Sequence, residues 1–288
     1  NRAIGLARGE YLLFLDADDW LLPNALKAHL AFLSDHPEFG VSVSDGYFCT
    51  NEGKELVRLS ERRGSLASGD VLPRIVVEAN LVGAPLCSMM RSKIVQDHRL
   101  RFDPELEIGE DWLFWIDVAS FAHFGFIDEV TCMYRWHELS TTLSTPDCIR
   151  KDQLWRGRQK VMQAPYFDGL PVATRHHFFY QLLLDTLKGR HANQEWVSKT
   201  PQFRALPRSI QGKLLRYTAL QYAIDGEDLP TARRWLSAAL LAAPWDTKSL
   251  IVAVLLFTNL KLATFALDRY RYLFQRYRTA NIVSLHIH

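Results

Sequence analysis

The run Tyr11-Leu12-Leu13-Phe14-Leu15 is continuously apolar and stops abruptly at Asp16-Ala17-Asp18-Asp19. An uninterrupted apolar stretch of strand length between turn signals is the pattern of a parallel strand covered on both faces. Asn1 to Arg8 read as a helix closed by Gly9, and Pro23 suits the first turn of the next one. Further strands are expected at Val41–Ser44, ending in an Asp45-Gly46 turn, at Leu86–Met90 and at Phe126–Tyr134. A helix is expected at Asp111–Ala122. Strands alternating with helices predict an α/β domain with a mainly parallel sheet.

Three carboxylates within four residues repel one another unless a positive group sits among them. A hard divalent cation, Mg²⁺ or Mn²⁺, is the natural partner, since it takes oxygen ligands and bridges one or two carboxylates to substrate phosphates. The place reinforces this reading, because ligands of open α/β sheets bind beyond the carboxyl ends of strands. The competing reading is a helix cap before Pro23. A second acidic pair, Glu110-Asp111, opens an aromatic-rich helix, where a helix N-terminus favours negative charge. Trp112 and Trp115 have core-facing spacing. Tyr134-Arg135-Trp136-His137 follows the last strand.

These segments, in this order, resemble the central blocks of family-2 glycosyltransferases of the GT-A fold, over residues 1–145. The resemblance implies a GT-A-type (Rossmann-like) mixed sheet with helices on both faces. It implies that Asp16, Asp18, Asp19 and Arg135 bind a nucleoside-diphosphate-sugar donor, with Asp18 and His137 at the Mn²⁺ or Mg²⁺ ion of a DxD-type site. Asp111 would be the base that takes the proton of the acceptor hydroxyl, with Glu110 the fallback. The implied activity is an inverting, hexosyltransferase-type transfer to a glycan or lipid-linked glycan, in polysaccharide or cell-envelope biosynthesis. Members of that family open with a Pro-Thr-Tyr-Asn-like strand and base-gripping strands. This chain opens with Asn1 in the helix before the metal-site strand. The resemblance therefore implies a catalytic domain without its first part, with an apolar edge exposed around Leu12 to Leu15. The alternative is an inactive or truncated relative acting through its C-terminal half as an interaction module.

Residues 146–288 lose the strand signals and read as an α-helical extension, with a tetratricopeptide-like hairpin around residues 217–250. A formal charge of +2 gives no support for nucleic acid as a partner. The four cysteines form no CxxC pair and read as small buried side chains in a reducing cytoplasm. Ser249 to Leu267 is apolar but interrupted by Asn259 and Lys261, so it is expected to be a buried or amphipathic helix rather than a span. Lys261, Arg269, Arg271, Arg276 and Arg278 lie among aromatics, which permits peripheral contact with anionic lipid at the inner face of the plasma membrane.

Overall fold

The computed structural model describes residues 1–258 apart from 64–67, 79–81, 83–84, 138–139, 189–194 and 225–228. Contacts divide the chain into two units, the first taking in residues 1–178 and 188–190 and the second residues 179–187 and 191–288.

The first unit is built on a mixed sheet. Its strands are β1 (Tyr11–Leu13), β2 (Trp20–Leu21), β3 (Phe39–Cys49), β4 (Glu55–Arg58), β5 (Ser88–Arg91) and β6 (His123–Arg135). They follow the order β1-β5-β3-β6-β2, and β4 pairs with the far part of β3. The expected mixed sheet with helices is present, but the expectation of mainly parallel pairing is not met. Only β3 and β6 pair in parallel; the other pairings of the described strands are antiparallel. An apolar run reports that faces are covered, not which way the neighbouring strand runs. Because β5 opposes both β1 and β3, two reversals leave β1, β3 and β6 pointing the same way. The apolar run itself contributes a short, half-buried strand at one end of the sheet, and Leu15 beyond it is exposed.

β3 is the spine. Val41 and Val43 are buried on one face, and Ser42 and Ser44 on the other, as the two-residue period of a strand requires. The strand does not end at Asp45-Gly46 as expected; β3 continues to Cys49 through irregular register against β6. The Asp45 carboxylate satisfies the disturbed backbone by accepting from Gly46 N at 2.9 Å and from Ser60 N at 3.0 Å. A bulge thus uses the chemistry that reads as a turn in sequence. A Cβ on Gly46 would stand 2.5 Å from Cys132 Sγ and 2.9 Å from the Cys132 carbonyl oxygen. Gly46→Ala is expected to destabilise the protein by about 1–3 kcal/mol, read as a lower denaturant midpoint at unchanged slope.

The helix Ala25–Asp35 packs on β3 and β6 through Ala25, His29 and Leu33, spaced four apart on one buried face. Arg91 closes this helix: its guanidinium donates to the carbonyls of Leu33 (2.6 Å) and Phe39 (3.1 Å). That is a structural role. His29 is fully buried, and its Nδ1 lies 2.8 Å from Ser42 Oγ. The Ser42 hydroxyl donates to Met89 O, so it accepts from His29, which fixes a neutral ring protonated at Nδ1. Burial pushes the His29 pKa down to about 4. Since the folded value lies below the unfolded one, this contribution is full above about pH 6.5 and is lost as pH falls towards 4. The stability advantage of wild type over His29→Gln is expected to shrink by about 3 kcal/mol across that window, measured by urea unfolding at each pH.

In the second unit the helices Arg208–Ile224 and Leu229–Ala242 pack against each other, followed by Thr247–Thr258. Ala219, Ala232 and Ala239 are fully buried, and such small residues let helix backbones approach closely. The Gly226 turn of the expected hairpin lies outside the described residues, as do Asn259, Lys261 and the arginines beyond. No helix among the described residues is long and apolar enough to cross a membrane.

Candidate active site

The shared direction of β1 and β6 puts their carboxyl ends at one end of the sheet, and the acidic residues gather there. The chain leaves β1 at Leu13, turns with Asp19 N donating to Asp16 O at 3.3 Å, and enters β2. β2 pairs antiparallel with β6 in the register Trp20↔Met133. That register carries the residues before Trp20 past the residues after Met133, so the acidic turn meets Arg135 and His137. Asp19 Oδ1 accepts from Arg135 N at 2.7 Å, and His137 Nε2 lies 2.8 Å from Asp18 Oδ2. The Arg135 guanidinium sits 5.2 Å over the Trp20 ring.

The second acidic pair is set by Gly109, whose left-handed backbone (φ +80°) opens the helix Glu110–Ala119. Trp112 and Trp115 are core residues, as their spacing predicts. Trp112 Nε1 donates to Ile75 O at 2.7 Å, anchoring the first turn of this helix. Asp111 Oδ1 accepts from Trp112 N at 2.6 Å.

Electrostatics ties the two motifs together. Burial, then the neighbouring Asp18 charge, raises the Asp16 pKa. Burial is also the leading cause at Glu110, pushed up to about 7, with Asp111 and Asp16 adding to it. Asp111 is raised by burial first, and the Asp16 charge acts in the same direction. Asp19 is pushed up to about 6, chiefly by burial, against the hydrogen bond from Arg135. Asp18 alone is held below the ordinary carboxylate range, first by its hydrogen bond with His137. One end of the sheet therefore holds carboxylates that resist ionisation beside one that is committed to it, a split typical of catalytic sites.

Tyr134 joins this group although its motif pointed to its neighbours. Burial raises its hydroxyl pKa, and the charges of Asp19, Asp16, Asp18 and Asp111 all add to the effect. Its position on β6 beside Arg135 was the available signal. Among the cysteines, Cys49, Cys87 and Cys132 are buried as expected, but Cys148 is exposed.

A divalent cation fits this arrangement. Asp19 Oδ2 is buried with no hydrogen-bond partner among the described residues, and the surrounding carboxylates raise one another. Among the described residues no group of three or more His, Cys, Asp or Glu is arranged as a ready chelate.

Residues 1–99 match the family model described as glycosyl transferase family 2. An uncharacterized glycosyltransferase of Methanocaldococcus jannaschii is 26% identical over 64% of this chain and 61% of its own length. The succinoglycan biosynthesis protein ExoO of Rhizobium meliloti is 23% identical over 81% of this chain and 66% of its own. The chain thus spans less than two thirds of either relative. Among solved structures, S. aureus TarS 1-349 in complex with UDP-GlcNAc aligns over 97% of this chain and 71% of its own, at a TM-score of 0.48 and 16% identity.

Proposed function

We propose, from the match of residues 1–99 to the glycosyl transferase family 2 model, that the chain transfers a sugar from a nucleoside-diphosphate donor to a hydroxyl acceptor. The observation that carries the reading is the meeting of Asp16, Asp18, Asp19 and His137 with Glu110 and Asp111 at the carboxyl ends of β1 and β6. An alcohol is a poor nucleophile, and a carboxylate whose pKa is raised is a better base for its proton. Asp111 takes that role: its carboxylate accepts the hydroxyl proton as the acceptor oxygen bonds to the anomeric carbon. The bond from that carbon to the diphosphate breaks, and the nucleoside diphosphate leaves with the electron pair. Attack from the side opposite the leaving group inverts the anomeric centre and requires no covalent enzyme intermediate.

Asp18 and His137 would hold Mn²⁺ or Mg²⁺, with Asp16 and Asp19 facing the donor and Arg135 adding positive charge beside them. When bound, the ion neutralises charge developing on the departing diphosphate. A hexosyl donor and a glycan or lipid-linked acceptor of polysaccharide biosynthesis belong to the same reading. A role confined to the helical half as an interaction module leaves the clustered, mutually repelling carboxylates without a purpose.

Transfer from radiolabelled nucleoside-diphosphate hexoses tests the proposal, with and without chelator. Product formed at the same rate in excess chelator would remove the metal from it. The pH profile is a further check. Glu110 titrates near 7 beside Asp111, so kcat/KM is expected to rise through about pH 6–7, and Glu110→Gln is expected to move that limb to lower pH.

A further inference from the structure

Charge is divided unevenly along the chain. The second unit (residues 179–187 and 191–288) carries 13 Lys and Arg against 7 Asp and Glu, a net of +6, whereas the first carries 21 against 25, a net of −4. The near-neutral total conceals a basic second unit. Such an asymmetry between halves points to a polyanionic partner for one of them.

The same unit exposes apolar surface. The helix Thr247–Thr258 buries Ser249 and Leu256 along one side. Its N-terminus is pinned by Asp246, whose carboxylate accepts from Ser249 N at 3.1 Å and pairs with Arg216. On the opposite side, Leu250, Ile251 (61% exposed), Val254 and Phe257 are exposed. At 100° per residue these positions span about a third of the circumference, and none is charged. Among the described residues this arc stays open to solvent, a poor environment for aliphatic side chains. Beside it Leu241 is 77% exposed and Trp245 90%. Arg233 lies 5.6 Å over the Phe257 ring, setting a cation at the edge of this surface. The sequence that follows, residues 259–278, has five Lys and Arg against one acidic residue, interleaved with Phe265, Tyr270, Tyr272, Phe274 and Tyr277.

We propose that the exposed apolar arc of Thr247–Thr258, with Leu241 and Trp245, seats the second unit on an anionic lipid bilayer surface. Nucleic acid matches the basic charge but has no use for an uncharged aliphatic arc. A second copy of this chain matches the arc but brings the same +6 against itself. A bilayer with acidic headgroups satisfies both features: the acyl boundary receives Ile251 and Val254, Trp245 sits at headgroup level, and the basic residues meet the headgroups.

The test is flotation of the whole chain with vesicles of phosphatidylcholine mixed with phosphatidylglycerol, against vesicles of phosphatidylcholine alone. The expected result is binding to the mixed vesicles that weakens with added salt. Ile251→Glu is expected to lower the partition by about tenfold, and so, independently, is Trp245→Ser. Both side chains are exposed, so the thermal melt of each variant should match wild type. Equal binding to both vesicle types, or unchanged binding by both variants, would overturn the proposal. So would absence of vesicle binding, whether the chain then dimerises through Ile251 or captures nucleic acid. Sugar transfer is not used in the assay, so its outcome is independent of the catalytic reading.

Discussion

Asp111→Asn is expected to lower sugar transfer by about 10²–10⁴-fold, the range set by loss of a positioned general base. The fold should survive, because Asn retains the Oδ1 acceptor that takes the bond from Trp112 N. Its stability should match or slightly exceed that of wild type at neutral pH. Burial raises the Asp111 pKa, so the folded state disfavours the ionised carboxylate, and that penalty grows as pH rises through the folded value. The neutral amide carries no such penalty. Inactivity with a preserved melting temperature separates a base from a structural capping residue. Glu110→Gln, by contrast, should shift the pH profile and leave a substantial maximal rate.

Asp18→Ala is the second large effect. Asp18 is the one carboxylate of the cluster held in its ionised form, and it is half exposed, its side chain pairing with His137 rather than with buried parts of the fold among the described residues. Its removal should lower transfer by about 10²–10³-fold, the scale for losing one preorganised stabiliser of transition-state charge. The dependence of the rate on Mn²⁺ concentration should flatten with it. Asp19→Ala is expected to be less selective. Asp19 Oδ1 holds Arg135 N at 2.7 Å, so that change also loosens the junction after β6.

The acidic motifs were legible in sequence because ionised groups at the end of an apolar run must be reconciled with their charge wherever the fold puts them. The helix at Glu110 was legible from its spacing, and Trp112 and Trp115 fell into the core as that spacing required. Strand direction was not legible. Leu12 and Leu13 are apolar in either orientation, and only the insertion of β5 between β1 and β3 makes those pairings antiparallel. Asp45-Gly46 misled because a bulge and a turn draw on the same residues, and the partner that decides between them, Ser60, is distant in sequence. Tyr134 joins the site only through the register of β2 on β6, a tertiary fact absent from the local pattern. The open arc on Thr247–Thr258 was hidden for a related reason: a largely apolar helix looks buried in sequence.

The most direct measurement of the central claim is nucleoside-diphosphate binding by calorimetry, with and without Mn²⁺, in wild type, Asp18→Ala and Asp111→Asn. A donor site at the acidic turn and an acceptor base at Asp111 predict a separable outcome: wild type and Asp111→Asn bind the nucleotide with the same Mn²⁺ enhancement, and Asp18→Ala loses that enhancement. Nucleotide binding by Asp18→Ala with the wild-type response to Mn²⁺, or no binding by the wild-type chain, would contradict it.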